Sequence, residues 1–186
     1  MTIGKRDLRA TMRDRRDGFV AACPPAIAAP HWMIEQIHRD MVVAAYRAIG
    51  SEAGCEHLIE AAVGRQARIA LPHVTGRASP IRFLSWMPGD PLIEGPLGLL
   101  QPDEGAAELD PQLILAPLIA FDASLHRLGQ GAGHYDRAFA RYPDALRIGV
   151  AWSVQQVPAV PTDPWDVPLH AVVTEQGSIR HQEMAE

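Results

Sequence analysis

The sequence predicts a three-layer α/β fold: a mostly parallel or mixed central sheet with helices on both faces. Three observations predict it. Segments with apolar residues at helical spacing alternate with short, apolar, partly β-branched segments, the pattern of strand–helix units stacked in layers. The run Leu113–Phe121 is continuously apolar, the mark of a strand covered on both faces. The chain has 186 residues, 47% apolar and 21% charged, which suits one domain (1–186) with a substantial core and not a disordered chain.

The elements follow in order. Residues 2–19 read as a helix. Leu8, Met12 and Phe19 share one face, and Lys5, Arg9, Arg13 and Arg16 share another at spacings of four, four and three. A second helix is expected between Pro25 and His38, with Ile34 and Ile37 inward. Met41–Tyr46 reads as a buried strand, Gly50–Gly54 as a loop and Glu56–Gly64 as a helix. Ala67–Leu71 is a strand expected to end at Pro72. Ile81–Trp86 alternates apolar and polar residues, as a half-buried strand does. Gly89–Gly98 is rich in turn formers. In Leu113–Phe121 the proline at 117 predicts an end or a bulge, because it cannot donate to a central ladder. A helix over His134–Tyr142 and strands over Leu146–Trp152 and His170–Thr174 complete the pattern.

The formal net charge is −5, which excludes a general nucleic-acid binder while leaving room for a local basic patch. The longest apolar run is too short to span a bilayer. The N-terminal segment is Arg-rich and amphipathic, but Asp7, Asp14 and Asp17 argue against a transit peptide. Cys23 and Cys55 form neither a C-x-x-C pair nor a disulfide framework and read as reduced, half-buried thiols. A cytoplasmic, monomeric protein without nucleic-acid or membrane partners is expected.

The segment Arg127-Leu-Gly-Gln-Gly-Ala-Gly-His-Tyr-Asp136 carries the chemistry. Gly129, Gly131 and Gly133 alternate, so the backbone can approach a ligand closely and aim consecutive N–H groups at an anion. The helix opening near His134 adds the positive end of its dipole. Arg127 supplies a mobile cation at one edge, and Asp136 a carboxylate suited to the Mg²⁺ that accompanies phosphates. The spacing lacks the Lys-Ser/Thr ending of a P-loop. It also departs from the dinucleotide fingerprint, since the glycines begin eight residues after Phe121. A nicotinamide-dependent oxidoreductase is therefore a poor fit, and a glycine-rich turn without a ligand remains an alternative on spacing alone.

The stretch Ala116–Arg137 resembles the signature of the 5-formyltetrahydrofolate cyclo-ligases, or methenyltetrahydrofolate synthetases. Three further stretches are similar to that family in its order: Lys5–Arg9, Ile81–Pro102 with its aromatic strand and Gly-Pro-Leu-Gly, and Trp165–Thr174. The resemblance implies ATP-dependent conversion of 5-formyltetrahydrofolate to 5,10-methenyltetrahydrofolate with release of ADP and phosphate. It places Lys5, Arg6, Asp7, Leu8 and Arg9 at the ATP site, with Lys5 and Arg9 as a basic pair near the phosphates. Arg127, Leu128, Gly129, Gln130, Gly131, Ala132, Gly133, His134 and Tyr135 match the ATP loop. Arg127 and Asp136 take catalytic roles, Asp136 and Asp166 match the carboxylates assigned to Mg²⁺, and Glu52, Phe121 and Tyr135 match the folate pocket. Gln155 matches a family glutamine to which no role is attached.

The chain departs from the family at Ala132, where some members carry lysine, and at His134, where an aromatic Tyr or Phe is usual. Leu125 replaces a common glycine, Gln101 replaces glutamate, and Gly54-Cys55 replaces an acidic-Thr pair. Two alternatives stay open: a MgATP-using paralogue acting on a different amide or pterin-like substrate, and a non-catalytic folate- or nucleotide-binding protein.

Overall fold

The structure, a computed structural model, describes residues 4–181. Thr2, the expected start of the first helix, lies outside them. Helix α1 spans Lys5–Val20, α2 His31–Gln36, α3 Glu56–Gly64 and α4 His134–Arg141. The strands are β1 Val42–Ala44, β2 Arg68–His73, β3 Arg82–Ser85, β4 Ile93–Glu94, β5 Leu100–Gln101, β6 Leu113–Pro117, β7 Ala120–Phe121, β8 Arg127–Leu128, β9 Leu146–Val150, β10 Ala171–Thr174 and β11 Gly177–Arg180. Seven strands form the main sheet in the order β11-β10-β9-β6-β1-β2-β3. The inner pairs are parallel, and the edge strands β3 and β11 are antiparallel to their neighbours. β4 with β5 and β7 with β8 make two small hairpins.

Strand alternation explains the three layers. Val43, Ile69, Leu71, Leu113, Leu115 and Ile148 face a core closed by Met33 and Ile37 at α2 and by Leu58, Ile59 and Ala62 of α3. Val42, Ala44, Ala70, Ile114, Ala116 and Val172 face the opposite core, closed by Ala138 and Phe139 of α4. A third cluster packs Leu8 and Met12 of α1 against Ile119, Ala120, Leu128 and Val160. α1 therefore lies over the loops at the carboxyl ends of the strands. The chain reverses its direction across the sheet between β1 and β6, and a crevice opens there, as open α/β sheets dictate.

Several expectations are corrected. In the second helix Met33 is the buried residue while Ile34 is half-exposed, because the helix is six residues long and Ile37 already has extended backbone. β2 does not end at Pro72. Trp86 N–H donates to the Ile69 carbonyl, so residues 71 and 73 hold the bonding positions toward β3. The nitrogen of residue 72 then points toward β1, whose ladder has already ended at Ala70, and the proline forfeits nothing. β3 buries Phe83 and Leu84 on opposite faces, and its outer edge is paired as well: Ser85 N–H donates to the Ala107 carbonyl and Leu109 N–H to the Phe83 carbonyl. The run Leu113–Phe121 is two strands: β6 stops at Pro117, as the proline predicted, but Ala120–Phe121 forms a separate strand in a hairpin with β8. β11 is an element the sequence reading missed; its residues Gly-Ser-Ile-Arg carry little apolar signal. Cys55 is fully buried and Cys23 exposed, so neither thiol is half-buried.

Candidate active site

A cleft of about 570 Å³ opens at the carboxyl ends of the strands, where β1, β2 and β6 hand the chain to loops. Its walls bring together the stripe of α1, the glycine loop, the β1–α3 loop and the strap between β9 and β10. Seven cationic side chains (Lys5, Arg9, Arg13, Arg16, Arg47, Arg77 and Arg127) face four carboxylates (Glu52, Asp136, Asp163 and Asp166). The cleft is thus positive in a chain whose formal net charge is −5.

The β7–β8 hairpin accounts for the seven residues between Phe121 and Gly129. The loop leaves directly from β8, so a strand does precede it. Gly131 (φ +102°) and Gly133 (φ +66°) occupy left-handed backbone. Gly133 is also the N-cap of α4, and any Cβ there would stand 3.2 Å from Arg137 Nη1. Arg9 Nε donates to the Gly129 carbonyl at 2.8 Å. Arg13 Nη2 donates to Gln130 Oε1 at 2.7 Å, and Gln130 Nε2 donates to Glu52 Oε1 at 3.1 Å. Glu52 Oε2 accepts the Ile49 N–H at 3.0 Å. α1, the glycine loop and the β1–α3 loop are therefore clamped together by one polar chain, in which both Glu52 oxygens are engaged.

Arg127 is not the mobile edge cation the sequence suggested. Its side chain is 5% exposed, its Nη2 donates to Asp136 Oδ1 at 2.5 Å, and its guanidinium stacks 4.9 Å from the Phe139 ring centroid. Burial draws its pKa down, against the pull of Asp136, Tyr135 and Asp166. Its Nε is buried without a partner among the described residues, a donor left over after the Asp136 pair forms. Asp166 reaches the same place from the strap. Its Oδ2 accepts from Lys5 Nζ at 2.5 Å and from Asp163 N–H at 2.8 Å, while Lys5 Nζ also donates to Asp163 Oδ2 at 2.6 Å. Burial would raise the Asp166 pKa, but Lys5, the Asp163 N–H and Arg127 hold the carboxyl below its usual range. Burial would lower Lys5, yet the two aspartates hold its ammonium above the usual value.

His134 opens α4 and lines the cleft. Arg137 Nη2 lies 3.0 Å from its Nδ1, and a guanidinium can only donate, so Nδ1 is the acceptor and the neutral ring carries its proton on Nε2. Burial and the Arg137 charge lower its pKa. Tyr135 lines the cleft and packs against Phe139 at 6.1 Å, and burial with Glu52 and Cys55 nearby raises its phenol. Ala132 stands on the wall as well.

Not every expected residue reaches the cleft. Phe121 is 0% exposed and belongs to the core beneath α4, because its hairpin turns the ring inward. Arg6 and Asp7 are exposed on the far side of α1, and Leu8 is buried in the packing under that helix. One helical turn separates Lys5 from Arg9, and the residues between them point elsewhere. Gln155 acquires a structural explanation: its Oε1 accepts Trp152 N–H and its Nε2 donates to the Leu118 and Ile119 carbonyls, pinning the end of β6. Gln101 is buried and accepts Val74 N–H at 3.1 Å, a bond a glutamate could also accept. Sequence reasoning missed Asp163, Arg47, Arg77 and the exposed Trp165 on the cleft wall. Asp163 alone carried a local signal, lying three residues before Asp166 across Pro164.

Among the described residues no three His, Cys, Asp or Glu side chains gather where they could hold a metal ion. No described helix is long and apolar enough to cross a membrane.

Comparison with known proteins adds a family. A model of the 5-formyltetrahydrofolate cyclo-ligase family matches residues 3–175. An Escherichia coli protein named 5-formyltetrahydrofolate cyclo-ligase is 31% identical over 139 residues, 71% of this chain and 76% of that one. The same-named Haemophilus influenzae protein is 33% identical over 97 residues, 49% of this chain and about half (52%) of its own length. The solution structure of Aquifex aeolicus 5,10-methenyltetrahydrofolate synthetase superposes with a TM-score of 0.70 at 24% identity, covering 96% of this chain and 93% of that one, a likeness of fold.

Proposed function

The chain belongs to the 5-formyltetrahydrofolate cyclo-ligase family, and on that premise we propose that it converts 5-formyltetrahydrofolate to 5,10-methenyltetrahydrofolate with ATP, as a single-domain monomer. The observation that carries the reading is the positive cleft built on the glycine loop, with Arg127 and Asp136 paired on its floor. The formyl group on N5 is an amide, and its oxygen leaves poorly. Attack of that oxygen on the γ-phosphorus of ATP releases ADP and gives an imidate-like phosphate. N10 then attacks the formyl carbon and loses its proton to solvent, and the C–O bond breaks to release phosphate.

The chain's part is positioning and charge stabilisation. The N–H groups of residues 129–133 and the N-terminus of α4 receive the phosphates. Lys5 and Arg9 close over them from α1. Arg127, already desolvated, has a spare Nε donor for charge developing on the transferring group. Ala132 supplies no cation, so these groups carry the whole load. The hard-oxygen carboxylates Asp136 and Asp166 flank Arg127 and suit Mg²⁺, an ion commonly held by one or two carboxylates plus substrate phosphates. Such an ion would neutralise phosphate charge. Binding it would draw Asp136 and Asp166 away from Arg127 and Lys5 and free those cations for the nucleotide. Tyr135 and Glu52 border the space left for the pterin.

Asp136→Asn should lower kcat by about 100-fold or more. Because it leaves the buried Arg127 charge without its partner, it should also lower stability by about 3–5 kcal/mol, so turnover is compared at a temperature where circular dichroism shows both chains folded. Unchanged turnover in saturating Mg²⁺ would remove Asp136 from the mechanism. One observation favours a second reading, a paralogue acting on another amide: Ala132 and His134, both departures from the family, line the cleft. ADP release with other formamides, and none with 5-formyltetrahydrofolate, would select it.

A further inference from the structure

Trp165 is the most exposed large apolar side chain among the described residues, at 70%, and it stands on the cleft wall. An indole in water forgoes the burial that makes tryptophan stabilising. The backbone beneath it is nonetheless held. Asp166 N–H donates to the Asp163 carbonyl at 3.0 Å, closing a reverse turn with Pro164 and Trp165 at its centre. Asp163 N–H answers to Asp166 Oδ2 at 2.8 Å. Pro164 fixes the φ before Trp165. Lys5 Nζ binds both carboxylates, at 2.6 and 2.5 Å, and fastens the turn to α1. The backbone that carries the indole face is thus held before a ligand arrives, and only the side chain remains to be ordered.

Its neighbours define what that face receives. Lys5 and Asp166, which frame the turn, belong to the polyanion end of the cleft, and Asp166 and Arg127 feel each other's charge. The apolar residues Pro72, Val74 and Ile81 enter the cleft from β2 and the start of β3, at the other end of the sheet order from the strap that leads into β10. A flat ring joined to a polyphosphate matches the Trp165 end. We infer that Trp165 is a stacking platform for the base of the nucleotide, which lets the site prefer a nucleoside triphosphate to a bare polyphosphate as phosphoryl donor. Every base presents a π face, so a platform without edge contacts confers affinity for a base with little choice among purines. The inference rests on the nucleotide half of the function proposed above and not on the folate half.

The test is equilibrium binding by calorimetry to the full chain, with Mg²⁺, of ATP, GTP, inorganic tripolyphosphate and 5-formyltetrahydrofolate. Trp165→Ala should weaken ATP and GTP binding by about tenfold, the usual worth of one base stacked on an aromatic ring. Tripolyphosphate and 5-formyltetrahydrofolate affinity should stay as in the native chain, and Trp165→Phe should regain most of the loss. Equal losses for ATP and tripolyphosphate would overturn the inference, since the turn and not the ring would then matter. So would a loss confined to 5-formyltetrahydrofolate, or no loss at all. A chain that binds ATP through Trp165 yet never turns over 5-formyltetrahydrofolate would sink the cyclo-ligase reading and leave this inference standing.

Discussion

Leu125 sets two local preferences against each other. Its φ of +65° lies in left-handed backbone, which explains why glycine suits the position, yet its side chain is buried in the core beneath α4. The conformation costs a non-glycine residue roughly 1–2 kcal/mol. Emptying a buried leucine site costs about 3–5 kcal/mol. Packing wins, so Leu125→Gly should lower stability by about 2 kcal/mol, a fall in melting temperature of about 5 °C. A rise would mean that strain dominates. A second expectation belongs to the Lys5–Asp166 link. Asp166 is held below its usual value of 3.8, so its contribution is present above that pH and lost as pH falls through the lower folded value. Lys5 is held above its usual 10.5, so its contribution is present below that pH and lost as pH rises through the higher folded value. Lys5→Met should therefore lower the melting temperature at neutral pH, and the gap to the native chain should close as pH falls below 3.8 and through the lower folded value of Asp166. A gap independent of pH would show that the stem of Lys5, not its charge, is what the fold uses.

At the scale of elements, β9 is the strand where space decides. A Cβ at Gly149 would lie 2.6 Å from both Leu118 Cδ2 and Leu169 Cδ1. Gly149→Ala should destabilise by about 1–3 kcal/mol through overpacking, read as a lower urea midpoint with an unchanged slope; a neutral result would show that the two leucines repack freely. The same comparison explains what was legible. α3 and the centres of β1, β6 and β9 were readable because their apolar residues follow the period of the element that buries them. The stripe Lys5, Arg9, Arg13 and Arg16 was readable for the same reason, and all four residues line the cleft. β11 was not, since a polar edge strand takes its order from hydrogen bonds to β10 and not from its own side chains. The end of β6 at Pro117 was legible from the proline, but the hairpin that Ala120–Phe121 forms with β8 was not, because a proline signals an interruption without saying where the chain goes next.

At the scale of the molecule, an acidic chain brings seven of its 17 Lys and Arg side chains to one cleft. The glycine loop marked that cleft in the sequence through backbone requirements that few residues other than glycine meet, visible at Gly131 and Gly133. Arg47, Arg77 and Asp163 were illegible because they arrive from loops whose positions depend on the whole sheet. The misplacement of Phe121 has the same origin: one hairpin decides whether the ring faces the cleft or the core. The reaction proposed for this cleft closes 5-formyltetrahydrofolate, at the expense of ATP, into the imidazolinium ring of the 5,10-methenyl product. The most direct measurement follows methenyltetrahydrofolate by its absorbance after mixing the full chain with 5-formyltetrahydrofolate, ATP and Mg²⁺. Product should depend on ATP and appear one for one with ADP. Folded chain that binds ATP but forms no methenyl product would contradict the proposed reaction.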